Sequence, residues 1–137
     1  MFFGKGNNKK LDKRVKLAVL LFKMVRSDGS SKMLELLHMS EILRREFSLD
    51  QKQLEELFEE ADAVDQTTTD VILESIGSDW KNSEKKKVVE YMWVLAFADN
   101  QICKKERHTI QQIAEALGLS LAERARCQER AESHLNL

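Results

Sequence analysis

Four acidic residues carry the most suggestive spacing in this 137-residue chain: Asp28 with Glu35, and Asp99 with Glu106. Each glutamate follows its aspartate by seven positions, and the two pairs are 71 residues apart. Each aspartate precedes a residue that tolerates the left-handed backbone, Gly29 or Asn100, as the end of a helix requires. Each glutamate falls in the first turn of the helix that follows. If the two turns converge, four carboxylates meet. Such a set gathers hard, oxygen-seeking cations, so Ca²⁺, Mg²⁺ or Mn²⁺ is the expected cofactor and Asp28, Glu35, Asp99 and Glu106 the expected metal ligands. Seven residues are too few for an EF-hand loop, which takes twelve with acids at set positions. A second reading stands beside this one. A Glu at the third helical position accepts the free N–H of the cap residue, and its charge suits a helix N-terminus. Lys32 and Cys103 stand three before the glutamates and are poor side-chain caps.

Other chemistry finds less footing. Glu35-Leu36-Leu37-His38 has the Glu-x-x-His spacing of a carboxylate-bridged di-iron helix. Such a site needs a second copy, and Glu106 is followed by Arg107, His108 and Thr109. His108 and His134 have no carboxylate or cysteine at ligand spacing. No Gly-x-Ser-x-Gly elbow, phosphate-binding glycine loop or His-Glu-x-x-His is present. Cys103 near a helix start has the setting of a lowered pKa, but small cap-position residues are common. No catalytic residue, organic cofactor or enzyme activity is expected.

The elements that must position these residues are helices. Val15, Ala18, Val19, Phe22 and Val25 recur at helical spacing and predict a first helix from Leu11 to about Ser27. A second is expected over 31–46, with Met33, Leu36, Leu37, Ser40, Leu43 and Phe47 on its inner side. Asp50 and Gln53 form an Asp variant of the capping box for a third, whose inner face is Leu54, Leu57, Phe58 and Ala61. A short helix is expected from Thr67, stopped by Gly77. A long helix over 83–98 follows, and Trp93 and Phe97 at i and i+4 on it read as core. The next spans 104–117 and ends at Gly118. Ser120-Leu121-Ala122-Glu123 then caps a last helix reaching Leu135. Trp80 falls in a turn, where it pins the linker to the body or marks a partner surface.

The chain also repeats itself. At a shift of 71 residues, Val25-Arg26-Ser27-Asp28-Gly29 lies on Ala96-Phe97-Ala98-Asp99-Asn100, and Leu20, Leu21 and Phe22 lie on Tyr91, Met92 and Trp93. Downstream the register slips by one, to a shift of 70, and Phe47-Ser48-Leu49-Asp50 matches Leu117-Gly118-Leu119-Ser120. The halves cover about 11–63 and 82–135.

A helix ending in an Asp-Gly turn, a Glu opening the next helix and a Gly-Leu-Ser helix start together resemble the TerB family, named for bacterial tellurite resistance. The resemblance covers roughly Leu11 to Leu135. Asn100 stands in place of the second turn glycine, and Phe47-Ser48-Leu49-Asp50 in place of the first Gly-Leu-Ser; both keep the backbone requirement. The resemblance implies an all-α bundle with a pseudo-twofold relation, acidic residues suspected of binding metal, and a place among stress-response proteins. It implies little about catalysis.

Composition agrees with a single all-α, single-domain bundle of about seven helices. Proline is absent, hydrophobic residues make 42% and charged residues 33%, an ordinary globular balance for a chain long enough to bury a core. Two cysteines without metal spacing suit a reducing cytoplasm. No apolar run approaches the roughly 20 residues of a membrane span, and the start lacks the pattern of a signal peptide. The net charge of −1 argues against nucleic acid as a partner. Residues 1–10 read as a mobile basic arm. Six bases against one acid up to Lys16, behind Phe2 and Phe3, give residues 1–16 the means for weak contact with an anionic membrane. Between Asp50 and Glu74, nine acids face one base, a solvated helix face. The expectation is a non-enzymatic, stress-associated binding module that holds a divalent cation through its acidic turns, a protein partner of unknown identity, or both. Its alternatives are a protein-interaction scaffold or membrane-peripheral adaptor whose acids only cap helices, and a metal-dependent enzyme.

Overall fold

The computed structural model describes residues 13–26, 33–64, 66–98 and 104–135. The arm over 1–10 lies outside them. Among the described residues seven helices follow one another: α1 (Lys13–Val25), α2 (Met33–Phe47), α3 (Gln51–Asp62), α4 (Gln66–Asp79), α5 (Asn82–Phe97), α6 (Lys104–Ala116) and α7 (Leu121–Leu135). The fold is all-α, and the described residues contain no strand. None of these helices is long and apolar enough to cross a membrane.

Two helices form the centre. In α1, nine residues between Val15 and Val25 are buried, and in α5 the run Met92 to Ala96 is buried without interruption. A helix apolar nearly all round has to be wrapped on most sides. Accordingly α1 packs against α2 to α6, and α5 against α1, α2, α6 and α7. The covering helices are one-sided. On α3, Leu54, Leu57 and Ala61 are buried while Glu55, Glu56, Glu59 and Glu60 face water; on α6, Ile110, Ile113 and Ala114 turn inward. Phe22 meets Phe58 edge to face across α1 and α3, with ring centroids 5.4 Å apart, a favoured aromatic arrangement. Trp93 is buried and stacks on Phe97 at 5.7 Å.

The ends of α2 and α6 use the same device. Ser48 has φ 53° and Gly118 has φ 80°. The Leu49 N–H donates to the Arg44 carbonyl (3.1 Å) and the Leu119 N–H to the Ala114 carbonyl (3.2 Å). This is the six-to-one bond of a Schellman ending. Both leucines are buried, and both next residues are helix caps. Asp50 accepts from the Gln53 N–H at 2.8 Å and Ser120 from the Glu123 N–H at 3.1 Å, so the two expected capping boxes are present.

Two expectations need correction. The inner side of α2 is not the one carrying Met33 and Leu37, which are 72% and 58% exposed. Leu43 and Phe47 are buried as expected, but they share the inner face with Glu35, Met39 and Glu46. The buried arc contains two glutamates, so apolarity alone gives the wrong phase. Nor does Gly77 stop α4, which continues to Asp79. Gly77 is not among the positive-φ residues, and the Trp80 N–H still donates to the Ile76 carbonyl at 3.0 Å. Trp80 is buried, with the Lys13 ammonium 5.5 Å from its ring centre. The tryptophan does pin the linker.

Lys13 also donates to Glu84 Oε2 at 2.7 Å, and the Lys81 N–H donates to Glu84 Oε1 at 2.9 Å. Burial opposes ionisation of Glu84, but these bonds prevail and hold its carboxyl below the ordinary 4.5. A depressed carboxylate pKa adds stability that is present above the unfolded-state pKa and lost as pH falls through the folded one. Glu84→Gln is therefore expected to lower stability at neutral pH and to flatten the loss below about pH 4.5, read by urea unfolding across pH. Ser48→Gly relieves a left-handed non-glycine residue at some cost in chain entropy. It is expected to raise stability by about 0.5–1 kcal/mol in the same assay.

Candidate functional site

The third residue of a helix recurs as a functional position in this chain. In α3, α5 and α7 it is Gln53, Glu84 and Glu123, and each bends back to the backbone ahead of its helix. The Asp50, Lys81 and Ser120 N–H groups donate to them at 3.0, 2.9 and 2.9 Å. Each bond satisfies an N–H that an open helix end would leave to water. Glu123 also accepts from Asn82 Nδ2 at 2.7 Å, and its carboxyl is lowered, first by the Ser120 backbone bond and then by Asn82.

Glu35 and Glu106 occupy this third position in α2 and α6. Both are 0% exposed, more deeply placed than any capping glutamate above. An ionised carboxylate taken entirely out of water needs charge or hydrogen-bond donors around it. Their host helices each pack on both central helices. The other two expected ligands, Asp28 and Asp99, and the expected cap positions Lys32 and Cys103, lie outside the described residues. Among the described residues, no group of three or more His, Cys, Asp and Glu is placed to hold a metal ion. The described donors therefore do not by themselves make a divalent-cation site.

A different concavity does appear, between α2 and α5. It has a volume of about 420 Å³ and is lined from α2 by His38, Glu41, Ile42 and Arg45. From α5 come Lys87, Glu90, Tyr91 and Val94. This size falls within the usual range for binding sites. Glu41 receives two guanidinium groups, Arg44 at 2.7 Å and Arg45 at 2.8 Å. The Arg44 hydrogen bond, helped by Arg45, holds the Glu41 carboxyl below its ordinary value. Across the groove Lys87 meets Glu90 at 3.3 Å and lies 5.2 Å from the Tyr91 ring centre. The Tyr91 hydroxyl donates to the buried carboxylate of Glu46. Burial first, and the bond to Glu46 second, push the phenol well above its ordinary pKa of 10.

Reading the residues for metal and nucleophile chemistry misses this groove. One signal was available. Lys87, Glu90, Tyr91 and Val94 stand at i, i+3, i+4 and i+7 and make one mixed stripe on a helix otherwise built for the interior. His38, read as the end of a Glu-x-x-His motif, instead lines the groove half-buried. His108 is exposed. Cys127 is buried and donates to the Lys86 carbonyl at 3.4 Å; burial, then the nearby Glu90 charge, push its thiol up to about 11, far from a reactive thiolate.

Comparison with known proteins places this geometry. The family model described as tellurite resistance protein TerB matches residues 14–129, most of the chain. No curated protein matches. Among solved structures, a protein of unknown function from Porphyromonas gingivalis W83 superposes with a TM-score of 0.64 at 20% identity, over 92% of this chain and 99% of that one. At that identity the likeness speaks for the fold alone.

Tyr91 is the chain's one tyrosine, so its titration can be followed by ultraviolet absorbance. A raised phenol pKa gives stability that is complete below the unfolded value of about 10 and lost as pH rises above it. No phenolate signal is expected near pH 10 while the chain stays folded, only a rise that coincides with unfolding. A free-tyrosine titration curve in the folded protein would contradict the Tyr91–Glu46 pair.

Proposed function

Given that the chain belongs to the TerB family, we propose that it is a non-enzymatic binding module of the tellurite-resistance type which works by holding a protein partner. The observation that carries this reading is the repeated use of the third helical position as a cap in α3, α5 and α7. Gln53, Glu84 and Glu123 all return to the backbone N–H of their cap residues, and Glu35 and Glu106 stand at the same position. Acids used this way set the direction of a chain entering a helix. What is left for recognition is surface: the groove between α2 and α5, and the exposed apolar side chains Met33, Leu37, Val71 and Leu121.

A second reading, in which the turns hold Ca²⁺, Mg²⁺ or Mn²⁺, draws on one specific observation. Glu84 keeps some contact with water and Glu123 is exposed, whereas Glu35 and Glu106 have none. Carboxylates suit such cations, with Asp28 and Asp99 completing the set.

Thermal melting separates the two. The partner reading expects no change in Tm at about millimolar Ca²⁺, Mg²⁺ or Mn²⁺, well above the affinity of most dedicated sites. The metal reading expects a rise on the order of 5–10 °C that disappears in Asp28→Asn/Asp99→Asn. The partner reading also expects a protein to co-purify with the tagged chain and to be lost when Met33 and Leu37 are changed to lysine. A metal-dependent rise without any co-purifying protein would sink it.

A further inference from the structure

Charge in this protein is sorted along α1. At one end Lys13 pairs with Glu84 at 2.7 Å and lies over the Trp80 ring, Lys16 donates to Ser75 Oγ at 2.7 Å, and Lys85 donates to the Gly77 carbonyl at 2.8 Å. These contacts bring the starts of α1 and α5 to the end of α4. Asn82 Nδ2 donates to Glu123 at 2.7 Å and adds the start of α7. At the other end of α1, Phe22 meets Phe58 and Arg26 pairs with Asp62. The exposed acids Glu59 and Glu60, with Asp62, therefore lie level with the last turn of α1. That turn is about 18 Å from Lys13 by helical rise.

The first end is basic. Residues 1–16 and 79–86 hold nine bases and three acids, and of those acids Glu84 is already bound by Lys13 and the Lys81 N–H. Glu74, Glu115 and Glu123 border this surface and leave the bases in excess. An apolar side chain stands beside them: Leu121, the first residue of α7, is 77% exposed. Residues 1–12, outside the described residues, join the bundle here at Lys13 and carry Phe2 and Phe3 with Lys5, Lys9 and Lys10.

We propose that this end of the bundle, together with residues 1–12, docks on a lipid bilayer that carries anionic headgroups, with the acidic end of α3 turned away from it. Firm attachment to a bilayer takes two kinds of contact, bases on the headgroups and apolar groups in the acyl boundary. Both occur at this end and nowhere else along α1. The same headgroups repel Glu59, Glu60 and Asp62, so the sorting of charge sets the orientation as well as the attraction. Nucleic acid fits less well, because Trp80 is buried beneath Lys13 and the described part of this end offers no ring on which bases could stack. The proposal stands apart from the protein-partner reading, and neither depends on the other.

The test floats the full chain with phosphatidylcholine vesicles, with and without phosphatidylserine. Binding is expected only with phosphatidylserine. It should fall at least fivefold as salt rises from about 0.1 to 1 M, where screening shortens from about 10 to 3 Å. Lys81→Glu/Lys86→Glu should weaken binding about tenfold. Adding Glu56→Lys/Glu60→Lys to that variant restores the net charge and should not restore binding. Leu121→Ser, at a side chain open to water, should weaken binding about fivefold and decides the matter if the charge variants do not fold. The proposal is overturned if the chain does not float with phosphatidylserine, or if Lys81→Glu/Lys86→Glu or Leu121→Ser floats undiminished. Rescue by the α3 lysines, or equally tight binding to duplex DNA at matched phosphate, overturns it too.

Discussion

Two helices that are apolar around most of their circumference set the terms for everything else in this protein. A one-sided helix can stop at two layers, but α1 and α5 cannot. Wrapping them consumes the inner faces of α2, α3, α4, α6 and α7, and the short connections follow from that need. Charge is pushed outward, into the acidic face of α3 and the ion pairs of α2. The groove with Tyr91 is a concavity where the wrapping of α5 is incomplete. Site and core are thus two outcomes of one constraint.

Polar groups that the wrapping traps are handled locally. Glu84 is buried with Lys13 and a backbone N–H as partners, and Glu46 with the Tyr91 hydroxyl. Buried carboxylates are tolerated only in such company. Removing one partner of a pair leaves a stranded charge, which costs more than the pair contributes. Glu35 and Glu106 are buried as completely as any apolar residue of the core, in the first turns of α2 and α6.

Most of the fold was legible because the informative signals were local. Capping boxes at Asp50 and Ser120, the glycine stop at Gly118 and the apolar period of α1 and α5 each depend on neighbours in sequence. The errors arose where distant packing decides. Leu37 is as apolar as Leu43, and only the position of α1 and α5 tells that one is exposed and the other buried. Gly77 would terminate an isolated helix readily, yet α4 is held along its length by Ile72, Ile76 and Trp80. The positions of Glu35 and Glu106 at the third residue of their helices could be read in advance; their complete burial could not. The groove went unread because it belongs to two helices some 50 residues apart along the chain.

The uninterrupted run of α4 through Gly77 carries a consequence for how this chain can change length. With 14 residues and a rise of about 1.5 Å each, α4 is a stiff strut of roughly 21 Å, and only Trp80 and Lys81 separate it from α5. One residue added inside it would turn everything beyond by about 100°, taking Trp80 off the core and Ser75 away from Lys16. The link from α3 to α5 is therefore a ruler graduated in helical turns, and insertions are better accommodated at its ends than within it.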